Sequence, residues 1–171
     1  MSYLIDANIF IQAQNDYYCF DLCPGFWEFM GSKFIDGQLI SIRNVFDELQ
    51  KRDDEICSWS KNIRHCFQSI DDQETQVHFR AIANYVQKEY TPRHKNSLPH
   101  IQNFLSVADP WIIAKAKAKA TNSIVVTHEI RDKNNSCKPK IPDICDYFNV
   151  KTIRTNELLR NFQVQFILSQ Q

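Results

Sequence analysis

The chain has 171 residues, the size of one ordinary domain, and its 43% hydrophobic and 23% charged content is that of a globular protein, not a disordered or fibrous one. Twenty basic and twenty acidic side chains cancel to a formal net charge of zero, so any contact with a polyanion has to come from a local patch. Only three glycines argue against a Gly-rich phosphate loop, and no apolar run reaches the roughly 18 to 20 residues that span a bilayer.

Taken in chain order, short apolar runs ending at polar residues alternate with longer helical patterns. The runs "YLID", "QLISI", "HCFQSI", "SIVVTH" and "NVKTIR" read as strands. Helices are expected over 24–31, 43–51, 53–62, 71–90, 99–106 and 110–120, with a turn or two over 143–148. The polar "TPRHKNSL" at 91–98 reads as a loop. This alternation predicts an α/β domain with a parallel sheet over 1–160. In the tail, 161–171, Phe162, Val164 and Phe166 alternate with Gln163 and Gln165, the pattern of an extended surface segment or dimer contact.

Several local features have ordinary structural readings. In "AKAKAKA", Lys115 and Lys119 lie one turn apart and Lys117 points elsewhere, so a solvated face is expected. Tyr17, Tyr18, Phe20, Phe26, Trp27 and Phe29 recur near Pro24 at helical spacing, which suits core packing or a partner interface better than a base-stacking surface. The six cysteines (19, 23, 57, 66, 137 and 145) contain no CxxC pair, and "MSYLIDANIF" shows no charged n-region, so a cytoplasmic protein with reduced thiols is expected.

In an open α/β sheet, ligand sites lie beyond the carboxyl ends of the strands, and that rule selects among the acids. Asp6 closes "YLID" and Glu129 follows "SIVVTH". Asp109 precedes Pro110, a favoured first helical residue, so it is placed as an N-cap whose carboxylate could also project into the same cleft. In "RNVFDELQ", Val45, Phe46 and Leu49 define the buried face, Glu48 flanks it and Asp47 falls in water. Four carboxylates around one pocket repel unless protonated or bound to a cation. Oxygen-only ligation suits Mg²⁺ or Mn²⁺, singly or in pairs, and such a site can activate a water against a phosphodiester.

The segments "YLIDANIFI", "VFDEL", "ADPWIIAKA" and "VVTHE" resemble, in order, the four acidic motifs of PIN-domain (PilT N-terminus) nucleases. The run "DANIFIQAQNDYYCFDLCPGFWEFM" with the later "KIPDIC" further resembles a prokaryotic branch of PIN-like proteins regarded as toxins. The resemblance implies a three-layer α/β/α sandwich with a central, mostly parallel five-stranded sheet. It also implies a Mg²⁺- or Mn²⁺-dependent endoribonuclease, the toxin of a type II toxin-antitoxin pair, with RNA as substrate, an antitoxin as partner and a homodimer as assembly. Carried onto this chain, Asp6, Glu48, Asp109 and Glu129 are the catalytic and metal-binding acids, and Asn8 and Thr127 orient them. Many members have Asp where Glu129 stands, and the added methylene moves its carboxylate outward.

Beside these acids, "IRDKNNSCKPKIP" supplies Arg131, Lys133, Lys138 and Lys140 as candidate RNA-phosphate contacts, with Arg93, His94 and Lys95 a weaker cluster. Asp143 either caps the short helix that follows or approaches the cleft as an accessory ligand. His128 alternates with Glu129 along the strand and is expected on the opposite side. Two other readings stand beside the nuclease: a PIN-like binding or assembly module without turnover, and a haloacid-dehalogenase type phosphotransferase. The latter chemistry wants a second Asp two residues after the first, where Asn8 stands.

Overall fold

The computed structural model describes residues 2–118, 123–132, 134 and 136–167. Five strands, β1 (Ser2–Ile5), β2 (Leu39–Ile42), β3 (Phe67–Gln68), β4 (Ser123–Val126) and β5 (Lys151–Ile153), form one sheet in the order β3-β2-β1-β4-β5. Every pairing is parallel, in register from Tyr3↔Leu39 and Leu4↔Val125 in the centre to Ser41↔Phe67 and Val126↔Ile153 at the edges. β1, β2 and β4 are almost wholly buried, as strands covered by helices on both faces must be. All five expected strands are present, each trimmed by a residue or more at its polar ends.

Among the described residues nine α-helices flank the sheet in a three-layer α/β/α sandwich. They are α1 (Ala7–Gln12), α2 (Pro24–Ile35), α3 (Arg43–Gln50), α4 (Glu55–Asn62), α5 (Gln73–Tyr90), α6 (Ser97–Ser106), α7 (Asp109–Ala118), α8 (Ile141–Tyr147) and α9 (Thr155–Asn161). The chain steps from β1 outward to β3, then crosses back to β4 and on to β5. Right-handed crossovers in opposite directions put their helices on opposite faces and leave a crevice where the direction reverses. Here that point is the gap beyond the carboxyl ends of β1 and β4.

The helices α1 and α9 were not expected from the sequence. α1 follows β1 with only Asp6 between them and continues as a π-helical turn, Ala13–Tyr17. Phe26, Trp27, Met30 and Phe34 of α2 are buried. Tyr18 stacks on Phe26 at 4.4 Å and Phe20 on Trp27 at 3.8 Å, so most of the aromatic run is core packing. The tail keeps its alternation: Phe162 packs on Tyr3 and Phe29, Val164 joins the core margin, and Phe166 lies beside Tyr18. Among the described residues no helix is long and apolar enough to cross a membrane.

One expectation is corrected. Lys115 does not lie on a solvated face: it is only 9% exposed, and its Nζ donates to Asp72 Oδ2 at 2.6 Å and to the Ser69 carbonyl at 2.9 Å. The cause is tertiary, because α7 packs lengthwise along α5 and is buried on nearly every side, so a lysine there must find a carboxylate. Lys119 lies outside the described residues.

Candidate functional site

Asp6 occupies the step from β1 to α1, its N–H bonded to the Val126 carbonyl of β4 at 3.1 Å. Its carboxylate is 3% exposed and makes no capping bond to α1; instead Oδ2 accepts the Thr127 hydroxyl at 2.8 Å. That hydroxyl is fully used, since it also accepts from Asn8 Nδ2 at 3.1 Å and from the Glu129 N–H at 3.2 Å. Asn8 Oδ1 in turn accepts the His128 N–H at 3.0 Å. Asn8 and Thr127 therefore tie the end of β1 to the end of β4, and Thr127 holds the Asp6 carboxylate.

Glu48 and Asp109 come from opposite halves of the chain. On α3, Val45, Phe46 and Leu49 are buried, Asp47 is exposed and Glu48 is half-buried, as the helical wheel requires. Glu48 Oε1 accepts the Ala108 N–H at 2.9 Å, a donor at the start of α7 with no intrahelical partner. Asp109 is the first residue of α7 and not its cap, which corrects the expectation: Glu48, not Asp109, satisfies the helix entry. Among the described residues no hydrogen-bond donor contacts the Asp109 carboxylate.

The electrostatics show that these acids share one region. Burial, opposed by the Thr127 hydroxyl and reinforced by Glu129 and Glu48, pushes Asp6 up to about 7. Burial, then repulsion from Asp6, Glu129 and Glu48, pushes Asp109 up to about 8, and Lys140 works against that rise. Near neutral pH the site thus holds carboxyl groups poised to lose a proton to any cation that compensates their charge.

Glu129 follows β4, and both of its carboxylate oxygens already have donors. Oε1 accepts from Lys140 Nζ at 3.1 Å and Oε2 from the Ile141 N–H at 2.7 Å, which binds the loop after β4 to the start of α8. Asp143 is not the cap of α8: it sits in the first turn, the cap residue is Lys140, and its carboxylate accepts the Asp132 N–H at 3.1 and 3.3 Å. Of the candidate RNA contacts, Arg131 makes a bidentate pair with Asp146 at 2.6 and 2.8 Å, Lys138 is exposed, and Lys133 lies outside the described residues. Arg93 stacks on Tyr90 at 3.7 Å and donates to the Ser136 carbonyl, so it braces the same loop.

Two cavities border the crevice. One of about 660 Å³ is lined by Thr127, Glu129, Arg131, Lys140 and Arg154. The other, about 440 Å³, is lined by Tyr17, Tyr18, His128 and Arg154. His128 turns away from Glu129, as alternation requires, and meets the Thr155 hydroxyl at 2.9 Å. Arg154, shared by both cavities, was missed as a candidate because no motif marks the residue after β5, whereas Tyr17 was read with the aromatic run as core packing or a partner interface and instead ends the π turn 72% exposed.

Neither cavity is lined by Asp6 or Asp109, and among the described residues no three Asp, Glu, His or Cys side chains close into a ready-made metal cage. The donor chemistry nevertheless fits a hard divalent cation: oxygen ligands alone, one carboxylate without a donor, and one oxygen of Glu48 beyond its bond to Ala108. Without a cation, four like charges have no cause to converge further.

A family model described as a domain of unknown function, DUF4411, matches residues 3–166. The chain belongs to the DUF4411 family. No curated protein and no solved structure matches it. The match spans all five strands, so the whole crevice, from Asp6 on β1 to Arg154 after β5, belongs to the DUF4411 domain.

Proposed function

We propose that this DUF4411 chain is a Mg²⁺- or Mn²⁺-dependent endoribonuclease of PIN-like type, the toxin of a type II toxin-antitoxin pair. The observation that carries the reading is that Asp6, held by Thr127 beyond β4, and Glu48, bonded to the residue before Asp109, meet where the sheet order reverses, with burial and neighbouring acids raising Asp6 and Asp109. Asp6, Glu48 and Asp109, with Glu129 beside them, would hold the cation. The chemistry such a cation would supply there is activation of a water and compensation of charge on the phosphodiester. The chain's own part is positional: Thr127 and Asn8 fix Asp6, and Glu48 fixes the entry of α7 and with it Asp109. An RNA substrate, a cognate antitoxin and a homodimer belong to the same proposal.

A second reading, a PIN-like binding or assembly module without turnover, is favoured by the lack of a closed cage among the described residues. Cleavage of a pool of structured and single-stranded RNA, with Mg²⁺, Mn²⁺ or EDTA, separates the two. The nuclease reading expects cation-dependent products with 5′-phosphate ends, and a rate at least ~10²-fold lower in Asp6→Asn and Asp109→Asn. Folded wild-type protein that cleaves no RNA under any of these conditions gives the site to the binding module.

A further inference from the structure

Of the aromatic run from Tyr17 to Phe29, Tyr17 alone is exposed. It ends the π turn after α1, a feature that recurs at functional sites, and its aromatic neighbour Tyr18, 6.5 Å away and tilted by 59°, is not stacked on it. The 440 Å³ cavity opens beside it, with Asp16, His128 and Arg154 on the wall and the His128 ring fixed by the Thr155 hydroxyl at 2.9 Å. Arg154 lines the 660 Å³ cavity as well. Its backbone is anchored, the N–H donating to Glu157 Oε2 at 3.0 Å, while the side chain is exposed and its guanidinium pairs with no carboxylate among the described residues. The other cations of the larger cavity are taken, Arg131 by Asp146 and Lys140 by Glu129.

We infer that the 440 Å³ cavity receives one base of an unpaired RNA strand, stacked on Tyr17, while Arg154 holds a phosphate of the same strand where the two cavities meet. The inference rests on the reading above that RNA is the substrate. A tyrosine ring offers a face to any base, and a guanidinium presents parallel N–H donors to a phosphate. Asp16 decides which part goes where: it repels a phosphate from the smaller cavity, whereas a base brings amino groups that a carboxylate accepts. The cavity has the volume of a small-ligand pocket, and the larger one, which Arg154 also lines, leaves room for the strand to continue. A duplex cannot deliver a base to such a cavity without unpairing it, so single strands are selected.

The test is binding of a short, labelled single-stranded RNA of mixed sequence, in EDTA so that no cleavage intervenes, by wild type, Tyr17→Ala, Tyr17→Phe and Arg154→Gln. A blunt RNA duplex and a nucleoside monophosphate serve as competing ligands, and both should bind at least roughly tenfold more weakly than the strand. Tyr17→Ala should weaken strand binding roughly tenfold and Tyr17→Phe should restore it. Arg154→Gln should weaken it by a similar factor and lower the slope of log Kd against log salt by about 0.7, the share of one phosphate on a single strand. Both positions are exposed, so the variants should keep the wild-type unfolding midpoint. Equal affinity for strand and duplex, a monophosphate bound as tightly as the strand, or variants that bind like wild type overturns this inference and leaves the nuclease reading standing. A wild type that cleaves RNA with Mn²⁺ but binds no strand in EDTA overturns it too. Strand binding with these dependences and no cleavage under any cation supports the inference and gives the protein to the binding module. A folded wild type that neither binds nor cleaves RNA overturns both.

Discussion

Asp109→Asn will make the cation-free protein more stable at pH 8 than the wild type, and the advantage will vanish as the pH falls toward 4. In the unfolded chain Asp109 ionises near the ordinary carboxylate value, about 3.9. In the folded protein, burial first and then the charges of Asp6, Glu129 and Glu48 push it up to about 8. A carboxyl raised on folding binds its proton more tightly in the native state, so ionisation works against the fold. Below pH 4 both states are protonated and there is no penalty; it grows from there up to about pH 8. Asparagine keeps the shape and removes the charge.

Solvent relaxation and screening reduce the effect well below the full shift, and loss of a favourable acid in the first turn of α7 subtracts a little more. A gain on the order of 2 kcal/mol remains, or roughly 4–8 °C in midpoint for a domain of this size. Combined with Asp6→Asn, the gain should be less than additive, because each substitution removes part of the other's repulsion. Chemical denaturation at pH 5 and pH 8 reads it. An Asp109→Asn variant equally destabilised at both would mean that the carboxylate is held by donors and not crowded by acids.

The largest loss of stability is expected from Asp72→Ala. Asp72 caps α5, accepting the Thr75 N–H and hydroxyl at 2.9 Å each, and it pairs with the buried Lys115 at 2.6 Å. The hydrogen bond from Lys115, more than its own surroundings, lowers Asp72 to about 2. A depressed carboxyl stabilises the fold above its unfolded value near pH 4, and that contribution is lost as the pH falls toward 2. Alanine removes a cap worth about 1 kcal/mol and leaves an ammonium, 11% exposed, with only the Ser69 carbonyl. Together these cost about 3–4 kcal/mol, a fall of roughly 6–15 °C. Asp72→Asn retains the cap and should lose about 1 kcal/mol less. Lys115→Met, which removes the buried charge and keeps the packing, should cost under about 1 kcal/mol. If it proves as damaging as Asp72→Ala, Lys115 is there for its charge and not because α7 had to be buried.

Lys115 also marks where sequence reading stops. Lysines two residues apart in "AKAKAKA" give a helix no polar face of its own, and which neighbour covers it is decided by α5, whose cap Asp72 lies 43 residues before Lys115. Asp6 and Glu48 were legible for the opposite reason: strand ends and the 3.6-residue period place them without reference to distant parts of the chain. Asp109 was found for its position but given the wrong local role, since only the fold brings Glu48 to the Ala108 N–H. The helix α1 was invisible because its six residues, "ANIFIQ", continue an apolar strand with no proline or glycine between them. α9 was hidden by the short polar sequence "TNELLRN", which has too few apolar positions to show a period. The Glu129 contacts with Lys140 and the start of α8 join residues eleven and twelve positions apart, which the sequence does not show.

The most direct test of the central claim, that the carboxylates crowded at the reversal of the sheet are one divalent-cation site, is thermal unfolding at pH 8 with increasing Mn²⁺. Binding to the folded state alone should raise the wild-type midpoint by roughly 5–10 °C at a hundredfold excess over Kd. Asp6→Asn and Asp109→Asn, more stable than wild type without the ion, should rise by little or nothing with it. Equal rises in all three proteins, or a wild-type midpoint indifferent to Mn²⁺, would contradict the account.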